Sequence, residues 1–178
     1  MQVICAPQEI SLDNNKEKYI FVFLAGGISN CSDWQKEVTA FLIQNLPTNV
    51  KKTIIIFNPK RETVFDFTKE DESKKQIQWE FKYLEQMDLF TMFFDGPTIS
   101  PQPICFYELG RHLSQMQSRF KDDFNKRIIV SYKKEFSRAF DVAIQTSLAT
   151  EDKVKAIEVA SPKEHAERIL RSIIELTK

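Results

Sequence analysis

The chain has 178 residues, 42% hydrophobic and 28% charged, the proportions of one ordinary globular unit long enough to bury a core. Its 25 Lys and Arg balance 25 Asp and Glu, so a net charge of zero gives no basis for binding a nucleic-acid polymer or an anionic membrane surface. Three scattered cysteines (Cys5, Cys31, Cys105) and two histidines (His112, His165) match neither a disulfide framework nor a zinc-ligand spacing. No run is apolar enough to insert in a membrane. The expectation is a cytoplasmic chain with no metal and no cofactor, since no secretory start is visible either.

Residues 1–18 are polar and irregular and read as a leader that packs loosely or pairs at a sheet edge. Residues 19–178 read as the α/β domain. Tyr19 to Ala25 is a nearly continuous apolar run that ends at Gly26-Gly27, the pattern of a buried strand closing in a tight turn. Ser32 with Gln35 three positions on reads as a capping box, and Trp34, Val38, Phe41 and Leu42 share one helical stripe that stops before Pro47. Thr53 to Phe57 is a second strand, ended by Asn58-Pro59.

Residues 60–75 are mostly charged, with Phe65 and Phe67 embedded, and read as a long loop. Ile77, Phe81 and Leu84 have helical spacing, which predicts a helix over 76–87. Leu89 to Phe94 is a strand, broken by Asp95-Gly96-Pro97, and a Pro-rich loop runs to Pro103. Phe106, Leu109, Leu113, Met116 and Phe120 mark the next helix, and Ile128 to Val130 the core of a fourth strand. A weaker helix over 135–148 and a fifth strand over 154–159 follow. Ser161-Pro162-Lys163-Glu164 caps a last helix with apolar Ile169, Leu170, Ile173 and Ile174. Strands alternating with helices predict a flavodoxin-like (Rossmann-like) five-stranded parallel sheet with helices on both faces, and a ligand site outside the carboxyl ends of the strands.

That edge selects the residues with a functional reading, each beside a plainer one. Gly26-Gly27 allows close backbone approach to a ligand, or is only a tight turn. Neither a dinucleotide fingerprint nor a phosphate loop is present. Glu108 sits early in its helix, roughly 120° off the apolar stripe. It is free to face a pocket, or to pair with Arg111 or His112 at the surface. Trp79-Glu80 begins the second helix, where an acid either favours the helix dipole or lies across a pocket from Glu108. Two such carboxylates can divide the roles of nucleophile and proton donor. Lys60 or Arg61 would hold an anion, or form a solvated basic turn. Asp88 opens a strand at the opposite edge and reads as structural.

Taken in order, Phe23-Leu24-Ala25-Gly26-Gly27-Ile28, Asp33-Trp34-Gln35, Asn58-Pro59-Lys60-Arg61, Gln76-Ile77-Gln78-Trp79-Glu80 and Tyr107-Glu108-Leu109-Gly110-Arg111 resemble the nucleoside 2-deoxyribosyltransferase superfamily, particularly its compact branch. The resemblance implies cleavage of the N-glycosidic bond of a small-molecule nucleoside or nucleotide, by transfer between bases or by hydrolysis. It makes Glu108 the nucleophile and Glu80 the acid for the departing base. Gly26, Gly27, Ile28, Asp33, Trp34, Asn58, Arg61 and Trp79 would form the substrate-binding wall, in a homo-oligomer of the kind the family forms. Two departures favour an alternative, a nucleotide-binding module or accessory subunit without turnover: no acid stands in Ile99-Ser100-Pro101-Gln102-Pro103, and Phe23 stands where many members have a tyrosine.

Overall fold

Short runs rich in Ile, Val and Phe form strands that are buried on both faces, which is the composition a parallel sheet covered by helices demands. The computed structural model describes residues 1–11, 15–62, 66, 68–96 and 102–178. Among these, six strands occur: β1 (Gln2–Cys5), β2 (Tyr19–Gly26), β3 (Thr53–Asn58), β4 (Leu89–Phe94), β5 (Ile128–Tyr132) and β6 (Ile157–Glu158). They form one sheet in the order β1-β3-β2-β4-β5-β6, with every neighbouring pair parallel.

The expected count of five strands is therefore corrected to six. Strands β2 to β6 keep the flavodoxin-like order, and the extra strand comes from the N-terminal segment. Val3 and Ile4 pair with Ile56 and Phe57 at the edge of the sheet. The polar stretch that follows hides this strand from a periodicity reading, because four residues show too little alternation to stand out. The predicted fifth strand shrinks to Ile157–Glu158, which is exposed.

Five α-helices are described: α1 (Trp34–Asn45), α2 (Glu70–Leu84), α3 (Pro103–Phe120), α4 (Ala139–Ala149) and α5 (Pro162–Leu176). Alternation along the strands sorts them onto two faces. Ile20, Val22, Leu24, Ile54 and Ile56 pack with Trp34, Val38 and Leu42 of α1 and with Ala166, Ile169 and Ile173 of α5. Phe21, Phe23, Ala25, Ile55 and Phe57 point the other way, onto Trp79 and Tyr83 of α2, Leu109 and Leu113 of α3, and Val142 of α4. The fifteen phenylalanines serve largely this second layer, where Phe94, Phe106 and Phe136 form a ring cluster.

Two helix expectations change. Helix α2 begins at Glu70 rather than Gln76. Glu70, Asp71 and Glu72 occupy its first turn, where the helix dipole favours acids, so the charged stretch 70–75 is helix and not loop. Its buried stripe is Gln76, Trp79, Tyr83 and Leu84. Ile77 and Phe81, read as the apolar face, are 64% and 51% exposed. The Ser32–Gln35 capping box does not form either. Asp33 occupies the N-cap without a side-chain bond to the helix backbone, Ser32 N donates to Asp95 Oδ2, and Gln35 is buried against Gly27. At α5 the cap works as expected, with Ser161 Oγ accepting from Glu164 N. Phe65, Phe67 and the segment 97–101 lie outside the described residues.

Candidate active site

The chain leaves β2 toward β3 on one side and returns through α2 to β4 on the other. The order therefore reverses between β2 and β4, and a crevice opens at their carboxyl ends, where parallel sheets hold ligands. A half-open cleft of about 340 Å³ lies there, within the size range of small-ligand pockets. Its floor is Phe23, Ala25, Gly26 and Gly27 from β2 and its turn. Its walls are Pro59, Glu80 and, from the first turns of α3, Gln102, Pro103, Ile104, Cys105 and Glu108.

Close approach constrains the two glycines unequally, against fixed backbone at Gly26 and against side-chain ends at Gly27. Gly26 has φ +147°, and a Cβ there would lie 2.3 Å from the Phe93 carbonyl oxygen; at Gly27 it would lie 2.4 Å from Gln102 Oε1. The strand-to-strand contact at Gly26 cannot yield, since Gly26 pairs with Phe93 in the β2–β4 ladder. Replacing Gly26 by Ala is expected to destabilise the fold by on the order of 3 kcal/mol, read as a lower midpoint in urea unfolding.

Glu108 and Glu80 both border the cleft. Glu108 rises from the second turn of α3, and neither surface partner takes it: Arg111 bonds Glu85 at 2.6 Å and His112 bonds Gln115 at 2.6 Å. Burial, and then the neighbouring Glu80 charge, push Glu108 up to about 8. Burial also raises Glu80, opposed by a hydrogen bond from Gln76 and by the Arg61 charge. Burial raises both carboxyls and each disfavours ionisation of the other, so the two titrate as one interacting pair that holds a proton between them.

The other expected wall residues divide. Gly26, Gly27 and Ile28 line the cleft. Trp34 is fully buried behind it, donating from Nε1 to the Gly27 carbonyl at 2.8 Å and packing on Phe93. It shapes the glycine turn from the far side. Trp79 is a core residue, packed on Phe23 and Tyr83 with Nε1 on the Gln8 carbonyl. It sits about two and a half turns into α2, not at its start, and the neighbouring position on the helix carries Glu80 to the cleft. Asp33 is exposed and pairs with Lys60 at 2.8 Å. Asn58 caps its own turn, accepting from Lys60 N. Arg61 lies against α2, its Nε donating to Gln76 Oε1 at 2.7 Å.

Several lining residues carried no signal of their own in the sequence: Gln102, Ile104 and Cys105 chief among them. Ile104 and Cys105 stand four and three positions before Glu108, so helical spacing alone would have placed them on its face. Gln102 is the N-cap of α3 at φ +48°, its Nε2 on the Asp95 carbonyl at 2.8 Å. Asp95 itself is buried. It takes Lys133 Nζ at 2.7 Å and Ser32 N at 2.6 Å, and so ties the ends of β4 and β5 to the start of α1. Burial raises both nearby thiols, Cys31 up to about 11 and Cys105 further, so neither is a thiolate nucleophile. Among the described residues no group of three or more His, Cys, Asp or Glu is placed to hold a metal ion, and no helix is long and apolar enough to cross a membrane.

A sequence model of the family described as "Nucleoside 2-deoxyribosyltransferase like" matches residues 19–120, more than half of the chain. The chain belongs to this family. A comparison with curated proteins gives no match. The nucleoside 2-deoxyribosyltransferase-like region runs from β2 to the end of α3, and every residue lining the cleft falls inside it. Membership in this family points to nucleoside-related chemistry. The rest of the sheet and α5 complete the layer behind the cleft.

Proposed function

We propose that the chain cleaves the N-glycosidic bond of a nucleoside, with Glu108 as nucleophile and Glu80 as acid, in the manner of the family's compact branch. The observation that carries this reading is the pair of half-buried carboxyl groups bordering one cleft at the point where the strand order reverses. In the first step a Glu108 oxygen bonds to the anomeric carbon as the carbon–nitrogen bond breaks. The electron pair goes to the base nitrogen, and Glu80 supplies the proton. A second base, or water, then displaces Glu108 from the sugar ester. Transfer and hydrolysis differ only in that acceptor. The chemistry requires the pair to carry one proton, so base release falls on the alkaline side as the last proton leaves, near the value of about 8 to which Glu108 is raised.

The cleft favours an uncharged nucleoside over its 5′-monophosphate. Its described lining has two acids and no Lys, Arg or His, and segments 63–65, 67 and 97–101 hold none in the sequence. Lys60 and Lys133 are paired with Asp33 and Asp95. A phosphate entering this field meets repulsion without a countercharge. Incubation with matched nucleosides and monophosphates, following free base by chromatography, is expected to give a kcat/KM at least 10-fold higher for the nucleoside, roughly 1.4 kcal/mol. Preference for the monophosphate would contradict the charge argument. Adding a second base to the same incubation separates transfer, which yields a new nucleoside, from hydrolysis.

A second reading, a binding module without turnover, is favoured by Phe23 in the cleft floor, which brings no hydroxyl to the sugar. Nucleoside binding with no base release would support it.

A further inference from the structure

Arg61 followed from the sequence as a residue to hold substrate, yet it does not border the cleft. It is mostly buried against α2, with Nε on Gln76 Oε1 at 2.7 Å, Nη2 on the Glu72 carbonyl at 3.4 Å and Nη1 3.8 Å from Glu72 Oε2. Gln76 is buried in turn. Its Nε2 donates twice, to the Pro59 carbonyl and to Glu80 Oε1, both at 2.8 Å. The orientation of this amide is forced. A guanidinium only donates, so it must meet the Gln76 oxygen; a peptide carbonyl only accepts, so it must meet the nitrogen. The amide N–H therefore points at Glu80 Oε1 and cannot be turned around.

A carboxyl oxygen that faces an N–H is an acceptor, and the acid's proton must then sit on the other oxygen. We propose that Arg61 and Gln76 are positioning residues that fix which oxygen of Glu80 carries the proton given to the departing base. The relay starts in the turn after β3 and reaches α2 across four helical residues, so the Asn58-Pro59-Lys60-Arg61 turn and the Gln76-to-Glu80 segment act as one device. It rests on the reading of Glu80 as the acid. The titratable and charged groups that face Glu80 are Arg61 from the turn, and Cys105 and Glu108 from α3. Of these Arg61 alone is a cation, and it acts both through space and through Gln76.

The test separates a proton-delivery role from a merely structural one by choice of leaving group. 2′-Deoxyadenosine needs its base protonated as it departs. 7-Methyl-2′-deoxyguanosine carries a positively charged base that leaves as a neutral molecule without added proton. Gln76→Met, similar in volume and lacking the amide, is expected to lower kcat on the first by roughly 10- to 100-fold with KM little changed, and on the second by less than about 3-fold. Arg61→Lys is expected to retain part of the activity that Gln76→Met loses. Equal losses on both nucleosides would overturn the relay.

Carbon-13 NMR of the Glu80 carboxyl, assigned against Glu80→Gln, gives a readout independent of turnover. Removing the donor in Gln76→Met is expected to move the Glu80 titration to higher pH, and an unchanged titration overturns the inference. If the wild type releases base from neither nucleoside, the enzymatic reading fails, while the NMR titration still decides whether Gln76 holds Glu80.

Discussion

Glu108→Gln is expected to lower base release from a nucleoside on the order of 10³-fold or more, with substrate affinity largely kept. The amide fills the same space at the mouth of α3 but cannot form the ester with the anomeric carbon. The same substitution is expected to stabilise the protein at alkaline pH. Burial and then Glu80 raise the Glu108 carboxyl to about 8 in the fold, whereas in the unfolded chain it titrates at the ordinary value. An acid raised in this way lends its full contribution below the unfolded value and loses it as pH climbs through the folded one. Wild-type stability should therefore decline between about pH 4.5 and 8 as charge is forced into the cleft, and Glu108→Gln should not share that decline. Thermal melts from pH 5 to pH 9 check this: the variant's Tm is expected to meet the wild type's at pH 5 and to exceed it at pH 9. Gain of stability with loss of turnover is the signature of a catalytic carboxyl held in an unfavourable site, and a salt-bridged surface glutamate would give the reverse.

Trp34→Ala is expected to cost about 3–5 kcal/mol, lowering Tm by roughly 10 °C or more. The indole is fully buried, edge-on to Phe93 and His165, and its Nε1 holds the Gly27 carbonyl at 2.8 Å. Trp34→Phe separates its two tasks. The ring still fills the space between α1, β4 and α5, but the Gly27 carbonyl loses its donor, so the melting temperature should recover most of the loss while KM for nucleoside rises. An unchanged KM in Trp34→Phe would make the tryptophan a packing residue only.

Much of the architecture is legible because a parallel sheet writes itself in buried β-branched and aromatic runs. Tyr19 to Ala25, Thr53 to Phe57 and Leu89 to Phe94 are each a strand within one residue. What stays hidden has a physical reason in each case. Strand β1 is too short for alternation to register. Helix α2 starts in a charged stretch because acids there satisfy the helix dipole rather than the core, and misplacing its start also misplaced Trp79, which packs inward while Glu80 next to it faces the cleft.

The site divides in the same way. Gly26, Gly27, Glu80 and Glu108 are legible from residue type and their place at strand ends or helix faces. Arg61, Trp34 and Asp33 are legible only as neighbours of that edge. Whether a side chain lines a cleft or braces it from behind depends on partners far along the chain, such as Gln76 for Arg61 and the Gly27 carbonyl for Trp34. Gln102 follows from the fold alone, since its buried amide depends on the Asp95 carbonyl and on the missing side chain at Gly27.

The most direct test of the central claim is chemical trapping. A nucleoside bearing fluorine at the sugar 2′ position forms a glycosyl ester that breaks down slowly, and intact-mass and peptide mass spectrometry then locate the sugar. One added sugar per chain, on Glu108, is the expected result. Continued release of base with no adduct, or an adduct on Glu80 or elsewhere, would contradict it.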